Sequence, residues 1–421
     1  MNIVKVEPLE AVETLVVENQ AVSKPALKEL RVRAVRDYAG IEDLRPIWTS
    51  WQSHPNADID FYLTVLRSLP EVLRPYVLIL HRGDNPEAML IGGIDQSQLE
   101  FKIGYKTLYK APVRQLTLIY GGRLGNLSLP NCELLLCELM NSLRREKVDV
   151  VFLTRVRTES ALYQAVTHLP GFFTRDHCQA PVRHRSTALP PTAEEFYRCL
   201  SAKVRRHLKS QAKKLLSDFP EGVEVRAFCD VQDLDRMIRD VEEVAKKTYQ
   251  RGLGVGFVDS PEIRTRLRLE AERGWLRAHI LYIAGKPATF FMCDLYGDTY
   301  HANYLGYDPI HSKYSPGSYL IMRSIKDFMA ETGARKPPKI DWGLGDARYK
   351  EELGTCDWEE VSPRIFTSTF KGVCLSALWT STMLVDCMAR RLLGKVGIIQ
   401  TTKKIWRNHL TESPNPPPNS K

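Results

Sequence analysis

One order of segments occurs twice in this chain: a hairpin, a third strand, an amphipathic helix and a closing strand. In the first pass, residues 76–81 are a near-continuous apolar run, Arg82-Gly83-Asp84-Asn85 supply turn chemistry, and 88–94 read as the partner strand. Residues 116–120 form another strand, broken by Gly121-Gly122. Residues 131–145 follow with Leu135, Leu139 and Leu143 at helical spacing, and 148–153 are again a strand. In the second pass, 275–283 and 287–295 flank Ala284-Gly285-Lys286, 299–305 is a third strand, 316–331 a helix and 340–342 a strand. A repeated order of antiparallel strands, helix and strand predicts a duplicated α/β unit with mixed sheets.

The two closing strands differ. The first runs on as VDVVFLTRVR, whereas the second reads IDWGLGDARYKEELG, with Gly343 and Gly345 set among Asp341, Asp346, Tyr349 and Lys350. A plain connection needs one or two turn residues. The extra carboxylates, tyrosine and lysine put the expected chemistry in the second copy alone, because ligands of such sheets bind beside strand ends.

A length of 421 residues suits two domains, and 43% apolar residues can bury two cores. The net charge of +9 is modest, so its distribution matters more. Lys203, Arg205, Arg206, Lys209, Lys213 and Lys214 crowd one segment; Arg390, Arg391, Lys395, Lys403, Lys404 and Arg407 crowd another. These are either solvated helix faces or contacts to a phosphate-bearing substrate, an acidic glycan or the inner membrane surface. Nucleic acid is not the expected partner, because aromatics are not interleaved and no DNA-reading motif is present.

The nine cysteines lack any C-x-x-C pair, which suits reduced thiols in the cytosol. His177, Cys178 and His184 lie near one another without a second ligand pair, so no metal is expected. The N-terminal apolar run contains acids and does not read as a secretory signal. Residues 373–385 read as too short to span a bilayer and end at Asp386. The expectation is a cytoplasmic protein, with peripheral contact at the inner membrane face through the basic helices left open.

Between the copies, Thr192 with Glu195 three residues on opens a helix as a capping box. SAKVRRHLKSQAKKLL then sets Val204, Leu208, Ala212 and Leu215 on one face. The expected organisation is a lead (1–30), a degenerate first unit (31–189), a basic linking helix (190–220), a second unit (221–372) and a basic helical tail (373–421).

The segment YLGYDPIHSKYSPGSYLIM leads into the second copy's helix. Ser315 reads as its N-cap, Pro316 as its first position, and Gly317 and Ser318 leave backbone N–H groups open to an anion, with Lys313 adding charge. An ordinary capped helix would read the same way. GLGVG (252–256) follows no strand and reads as a substrate-side loop rather than a nucleotide loop.

YLGYDPIHSKYSPGSYLIMRSIKDF with IDWGLGDARYKEELG, together with KVRRHLKSQAKKL and KKTYQRGLGVGF, resembles the cellulose-biosynthesis-associated acetyltransferase family. That family belongs to the GNAT superfamily and is related to the peptidoglycan aminoacyl transferases, which carry two tandem GNAT units. The resemblance spans roughly residues 30 to 370, and its most specific element is G-D-x-x-Y-K, Gly345 to Lys350.

It implies two tandem GNAT-like units and direct acyl transfer from acetyl-CoA or another acyl-CoA to an amine. The acceptor would be a sugar, glycan precursor or lipid-linked intermediate of envelope or exopolysaccharide assembly. The family pattern R/Q-x-x-G-x-G/A for the pyrophosphate aligns here with Lys313, Pro316 and Ser318, a departure at both ends and at the first glycine. An aminoacyl-tRNA donor, as in the related transferases, therefore stays open, as does a non-catalytic accessory role beside a polysaccharide synthase.

The implied cofactor residues are Lys313, Tyr314, Ser315, Gly317 and Ser318. Asp346 would act as base or amine-orienting carboxylate, Tyr349 would protonate the thiolate, and Lys350 would hold an acidic group. His301, Tyr304, Asp341 and Gly345 would shape the acceptor site. The alternative for Asp346 is a cap on the helix from Ala347, paired with Lys350.

Overall fold

The computed structural model describes residues 30–104, 106–252, 256–332 and 338–395. The expected N-terminal lead (all but its last residue), the middle of GLGVG and the cations Lys403, Lys404 and Arg407 lie outside the described residues.

The strands in chain order begin with β1 (Leu30–Val35), β2 (Val72–Arg82), β3 (Asn85–Ile103), β4 (Lys106–Gly125) and β5 (Val150–Leu153). Then come β6 (Val156–Arg157), β7 (Val182–Ala188), β8 (Val223–Phe228), β9 (Leu276–Ile283) and β10 (Lys286–Tyr296). The last are β11 (Thr299–Tyr307), β12 (Lys339–Leu344), β13 (Cys356–Val361) and β14 (Arg364–Phe366). They form a 6-stranded sheet, β1-β2-β3-β4-β5-β14, and an 8-stranded sheet, β6-β13-β7-β12-β11-β10-β9-β8.

The duplication is visible in the pairing. β2, β3 and β4 are antiparallel, and the helix Leu129–Arg145 then returns the chain so that β5 lies parallel to β4. β9, β10 and β11 repeat this, and the helix Pro316–Thr332 returns β12 parallel to β11. Each helix buries an apolar row. Leu135, Leu139 and Leu143 pack with Leu90 and Leu116 of the first sheet. Leu320, Ile321, Ile325 and Phe328 pack with Phe291, Ile340 and Trp342 of the second. Each such side chain contributes about 1.5–3 kcal/mol by leaving water. The fold is thus mixed α/β, in two halves that repeat one order of strands and helix.

The expected unit boundaries at 189 and 372 do not coincide with the sheets. β6 and β7 precede residue 189 yet belong to the second sheet, while β14 pairs with β5 in the first. The halves exchange strands, so neither sheet closes without residues from the other side of the boundary.

The linking segment is two helices rather than one. Thr192 caps Ala193–Cys199, its hydroxyl accepting from Glu195 N at 3.2 Å, and Ser201 caps a new helix, Ala202–Asp218, by accepting from Val204 N. Leu200 between them is extended, with φ −70° and ψ 147°.

The C-terminal helix, Phe370–Lys395, also departs from expectation. Its stretch Phe370–Ala389 has 20 residues and mean hydropathy 1.4, long and apolar enough to cross a membrane. Asp386 does not end it, but accepts a hydrogen bond from Gly104 N at 2.6 Å. One row of the helix, with Leu375 and Trp379, is packed on Leu99, Phe101 and Val113 of the first sheet, so the helix lies along the protein.

Candidate active site

β11 and β12 touch for three rungs only: Thr299 with Lys339, Tyr300 with Ile340, and His301 with Asp341. Beyond that they part. β11 is bulged against β10 between Met292 and Cys293, and β12 slips against β7 between Asp341 and Gly343. A bulge bends its strand and re-aims the side chains. Gly343 (φ 69°) and Gly345 (φ 111°) then adopt left-handed backbone, which a Cβ disfavours, and the chain turns into the short helix Arg348–Leu353. The two glycines of this loop thus serve the departure of β12.

The open end of the wedge is a cavity of about 460 Å³. Leu305 and Tyr307 line it from β11, Ser315, Gly317 and Ser318 from the helix entrance, and Asp346 and Tyr349 from the loop after β12. Its size lies within the usual range for small-ligand sites.

Alternation along the strands divides the wedge between two faces. Tyr300, Ile340 and Trp342 are buried on the side of the helix Pro316–Thr332, so His301 and Asp341 turn to the face where the first half packs. There Asp341 Oδ1 accepts from Gly343 N at 2.7 Å and lies 2.5 Å from His184 Nε2, while Oδ2 lies 3.6 Å from His301 Nδ1. His184 Nδ1 lies 3.1 Å from Glu360 Oε2, and its ring stacks on Trp358 at 4.4 Å. His301 Nε2 is buried without a hydrogen-bond partner.

The first half reaches into this cluster. The His54 ring meets those of His301 and Tyr120, both at 4.6 Å between centroids. His54 Nδ1 accepts from Asn56 N at 3.1 Å, which leaves the ring hydrogen on Nε2. Gly121 (φ 81°) makes room for it, since a Cβ there would stand 2.7 Å from His54 Cγ. Arg155 lies over Tyr120 at 4.7 Å and Arg157 over Trp358 at 4.1 Å, neither with an acidic partner among the described residues. The cavity on this face measures about 640 Å³ and includes Lys339, Arg123 and Arg157.

The charges follow from these contacts. Burial alone would raise the Asp341 carboxyl, but His184 and His301 outweigh it and hold it well below the carboxylate range. Burial works against a charged His184, yet its hydrogen bonds to Asp341 and Glu360 raise its pKa above the ordinary value. Burial, assisted by His301, lowers His54 to about 3, so it is neutral. Lys350 falls to about 8 through burial, with Asp341 opposing and Arg155 and Arg185 assisting. Burial pushes the Tyr349 hydroxyl upward, so it holds its proton.

The anticipated residues fall into distinct places. Ser315, Gly317, Ser318, Asp346 and Tyr349 share the cavity of about 460 Å³, while His301 and Asp341 form the centre of the opposite face. Lys313 is mostly exposed, 3.8 Å from Asp218, and is not part of that lining. Tyr314 is buried, donates to Asp218 Oδ2 at 2.7 Å and packs on Phe219, a structural position. Ser315 is not a side-chain cap. It takes left-handed backbone (φ 49°, ψ 52°), and its carbonyl accepts from Ser318 N and Tyr319 N, leaving fewer free donors for an anion than expected.

Asp346 is 78% exposed and 3.6 Å from Arg185, and it caps nothing, because the N-cap is Ala347. At the rim of the cavity and beside the Arg185 guanidinium, the carboxylate is placed to orient a ligand. Lys350 does not pair with Asp346; its Nζ donates to Leu344 O at 2.6 Å. Gly345 donates its N–H to Arg183 O and accepts from Arg185 through its carbonyl, fixing the loop. Tyr304 turns the other way, edge-on to Phe257 and beneath Arg266, in a separate cavity of about 660 Å³.

His54, Tyr120, Arg155, His184 and Glu360 carried no signal of this kind in the sequence. His184 lies 157 positions from Asp341, and the contact arises only because β7 pairs with β12. The one available hint was a histidine at an inward position of a short strand, beside arginines.

Residues 202–351 match the acetyltransferase (GNAT) domain family, so the second half carries a GNAT acyltransferase domain. No curated protein matches the sequence. Among solved structures, FemX is similar at 10% identity, covering 79% of this chain and 96% of its own, with a TM-score of 0.50. A tandem GNAT protein from the clavulanic acid biosynthesis pathway gives 10%, 80%, 99% and 0.48 for the same measures. The L-PGS of Bacillus licheniformis gives 12%, 81%, 96% and 0.46. At such identities the likeness concerns the fold alone.

Proposed function

We propose that this chain, whose second half carries a GNAT N-acyltransferase domain, moves an acyl group from acyl-CoA, acetyl-CoA foremost, to an amine. The acceptor is a sugar, glycan precursor or lipid-linked intermediate in exopolysaccharide assembly, cellulose-associated polymers included, on the cytoplasmic side of the envelope. The observation that carries this reading is the His301–Asp341 pair. It closes the apex of the wedge and lines the cation-rich cavity on one face, while the cavity of about 460 Å³ opens on the other.

The thioester enters from the helix face, with its phosphates toward Gly317 and Ser318. The acceptor amine enters from the face shared with the first half. Its nitrogen attacks the thioester carbon, the C–N bond forms and the C–S bond breaks. His301 Nε2, free of other partners, takes the amine proton while Asp341 steadies the imidazolium. Tyr349 supplies a proton to the departing thiolate. Arg155 and Arg157, without acidic partners, suit an acceptor bearing phosphate or carboxylate.

Calorimetric titration with acetyl-CoA and longer acyl-CoAs, followed by thiol release in the presence of amino sugars, tests this reading. Binding of an acyl-CoA with amine-dependent thiol release supports it. Failure of every acyl-CoA to bind, alongside binding of an aminoacyl-tRNA, moves the chain to aminoacyl transfer. One observation favours that second reading: the Ser318 and Tyr319 amides are already bonded to Ser315 O, which weakens a pyrophosphate cradle.

A further inference from the structure

The helix Phe370–Lys395 has two apolar sides, and only one is covered. Leu375, Trp379 and Thr382 are buried, and Trp379 Nε1 donates to Asp176 Oδ1 at 3.1 Å. On the opposite side, Cys374, Ala377, Leu378, Ser381, Leu384, Val385 and Met388 are exposed, and none of them is charged. A solvent-facing helix row ordinarily alternates with charge.

Two neighbouring segments add to this face. Beside the Gly104–Asp386 hydrogen bond, Leu108 and Tyr109 at the β3–β4 tip are 55% and 54% exposed. On the other flank, Phe172 and Phe173 are 64% and 68% exposed, and Cys178 Sγ of the same loop lies 4.0 Å from Thr380 O. Three separate parts of the chain therefore bring apolar groups to one side of the first sheet.

The charge at the margin identifies the partner. Lys106 and Arg391 are exposed and have no acidic partner among the described residues. In sequence, residues 396–412 hold Lys403, Lys404 and Arg407 against one acid, Glu412. An apolar centre with a cationic rim fits the headgroup–acyl boundary of an anionic bilayer. Spanning the bilayer is disfavoured, because it would strip Leu375 and Trp379 from the sheet and break the Trp379–Asp176 bond.

We propose that the outer face of this helix, with the β3–β4 tip and the Phe172–Phe173 turn, docks the protein in-plane on an anionic phospholipid surface. The site is distinct from the transferase centre and does not depend on that assignment. It also moves membrane contact away from the basic helix Ala202–Asp218.

The test is co-sedimentation of the full chain with vesicles of phosphatidylcholine alone or mixed with phosphatidylglycerol. The expected result is binding to the anionic vesicles only, weakened by salt. The triple variant Leu384→Glu, Val385→Glu, Met388→Glu should bind at least about tenfold more weakly at unchanged melting temperature. Should that variant misfold, Leu108→Asp with Tyr109→Asp at the hairpin tip serves instead, with the same loss expected. Wild-type protein that ignores anionic vesicles overturns the proposal. So does a folded variant that binds as wild type does, or light scattering that reveals a dimer broken by the same substitutions.

Discussion

His301 and Asp341 are the last paired rung of β11 and β12, and their side chains stand 3.6 Å apart, Nδ1 to Oδ2. The strands diverge immediately beyond them, so the pair is fixed by backbone pairing on one side and borders the cavity shared with the first half on the other. Such a pair suits proton removal: a carboxylate held ionised orients an imidazole whose far nitrogen is unpartnered.

His301→Gln should therefore lower kcat by about 10²–10⁴-fold, with acyl-CoA affinity within about threefold of wild type. Steady-state kinetics with calorimetric Kd values check this. Equal loss in Kd and kcat would show that His301 only supports the donor cavity.

The first half should matter to turnover through one glycine. Gly121→Ala places a Cβ against the His54 ring, which must shift, and with it the contact to His301. The expected outcome is a loss of turnover of about tenfold or more with little change in acyl-CoA binding, although residue 121 lies far outside the matched domain. Unchanged turnover would mean that the first half is a scaffold only.

Tyr349→Phe should leave melting unchanged, because the ring keeps its edge contact with Trp342 at 5.9 Å. Only the hydroxyl is lost. If it protonates the thiolate, kcat falls on the order of a hundredfold, and thioesters with more acidic leaving thiols recover most of the loss. No such recovery would remove Tyr349 from the acid role.

Gly317→Glu should weaken acyl-CoA binding by about tenfold, since it sets a carboxylate at the helix N-terminus where a phosphate would rest. The fold should tolerate it, because a Cβ at Gly317 meets only Leu305 Cδ1, at 3.9 Å. Unaltered affinity would place the donor phosphates elsewhere.

His184 makes stability depend on pH. Its folded pKa lies above the ordinary 6.5, so the folded state binds its proton more tightly than the unfolded chain does. That contribution is fully present below pH 6.5 and is lost as pH rises through the folded value. Asp341, with its folded pKa depressed, contributes above 3.8 and loses that contribution as pH falls through the folded value. Thermal melts should show wild type losing more stability than His184→Gln as pH rises from 6.5 through the folded value. Parallel curves would mean that His184 is neutral when folded.

The order of strands and helices, the helix entrance at Pro316 and the Gly343–Gly345 break were legible because each rests on local rules. Apolar periodicity sets an element's type, proline fixes φ at a helix start, and glycine alone enters left-handed backbone cheaply. Those signals operate within a few residues, and they pointed to Ser315, Gly317, Ser318, Asp346 and Tyr349, which line one cavity. They also misjudged Ser315 and Tyr314, where a tight turn and the Phe219 contact overrode the capping pattern. What only the tertiary structure decided is which polar groups meet. His54, His184, His301, Asp341 and Glu360 come together because β7 crosses into the second sheet and β13 pairs beside it. Strand exchange of this kind leaves no periodic trace, since it depends on which edges remain open after each half has folded. The sequence specifies the two units; packing one against the other creates the polar centre between them.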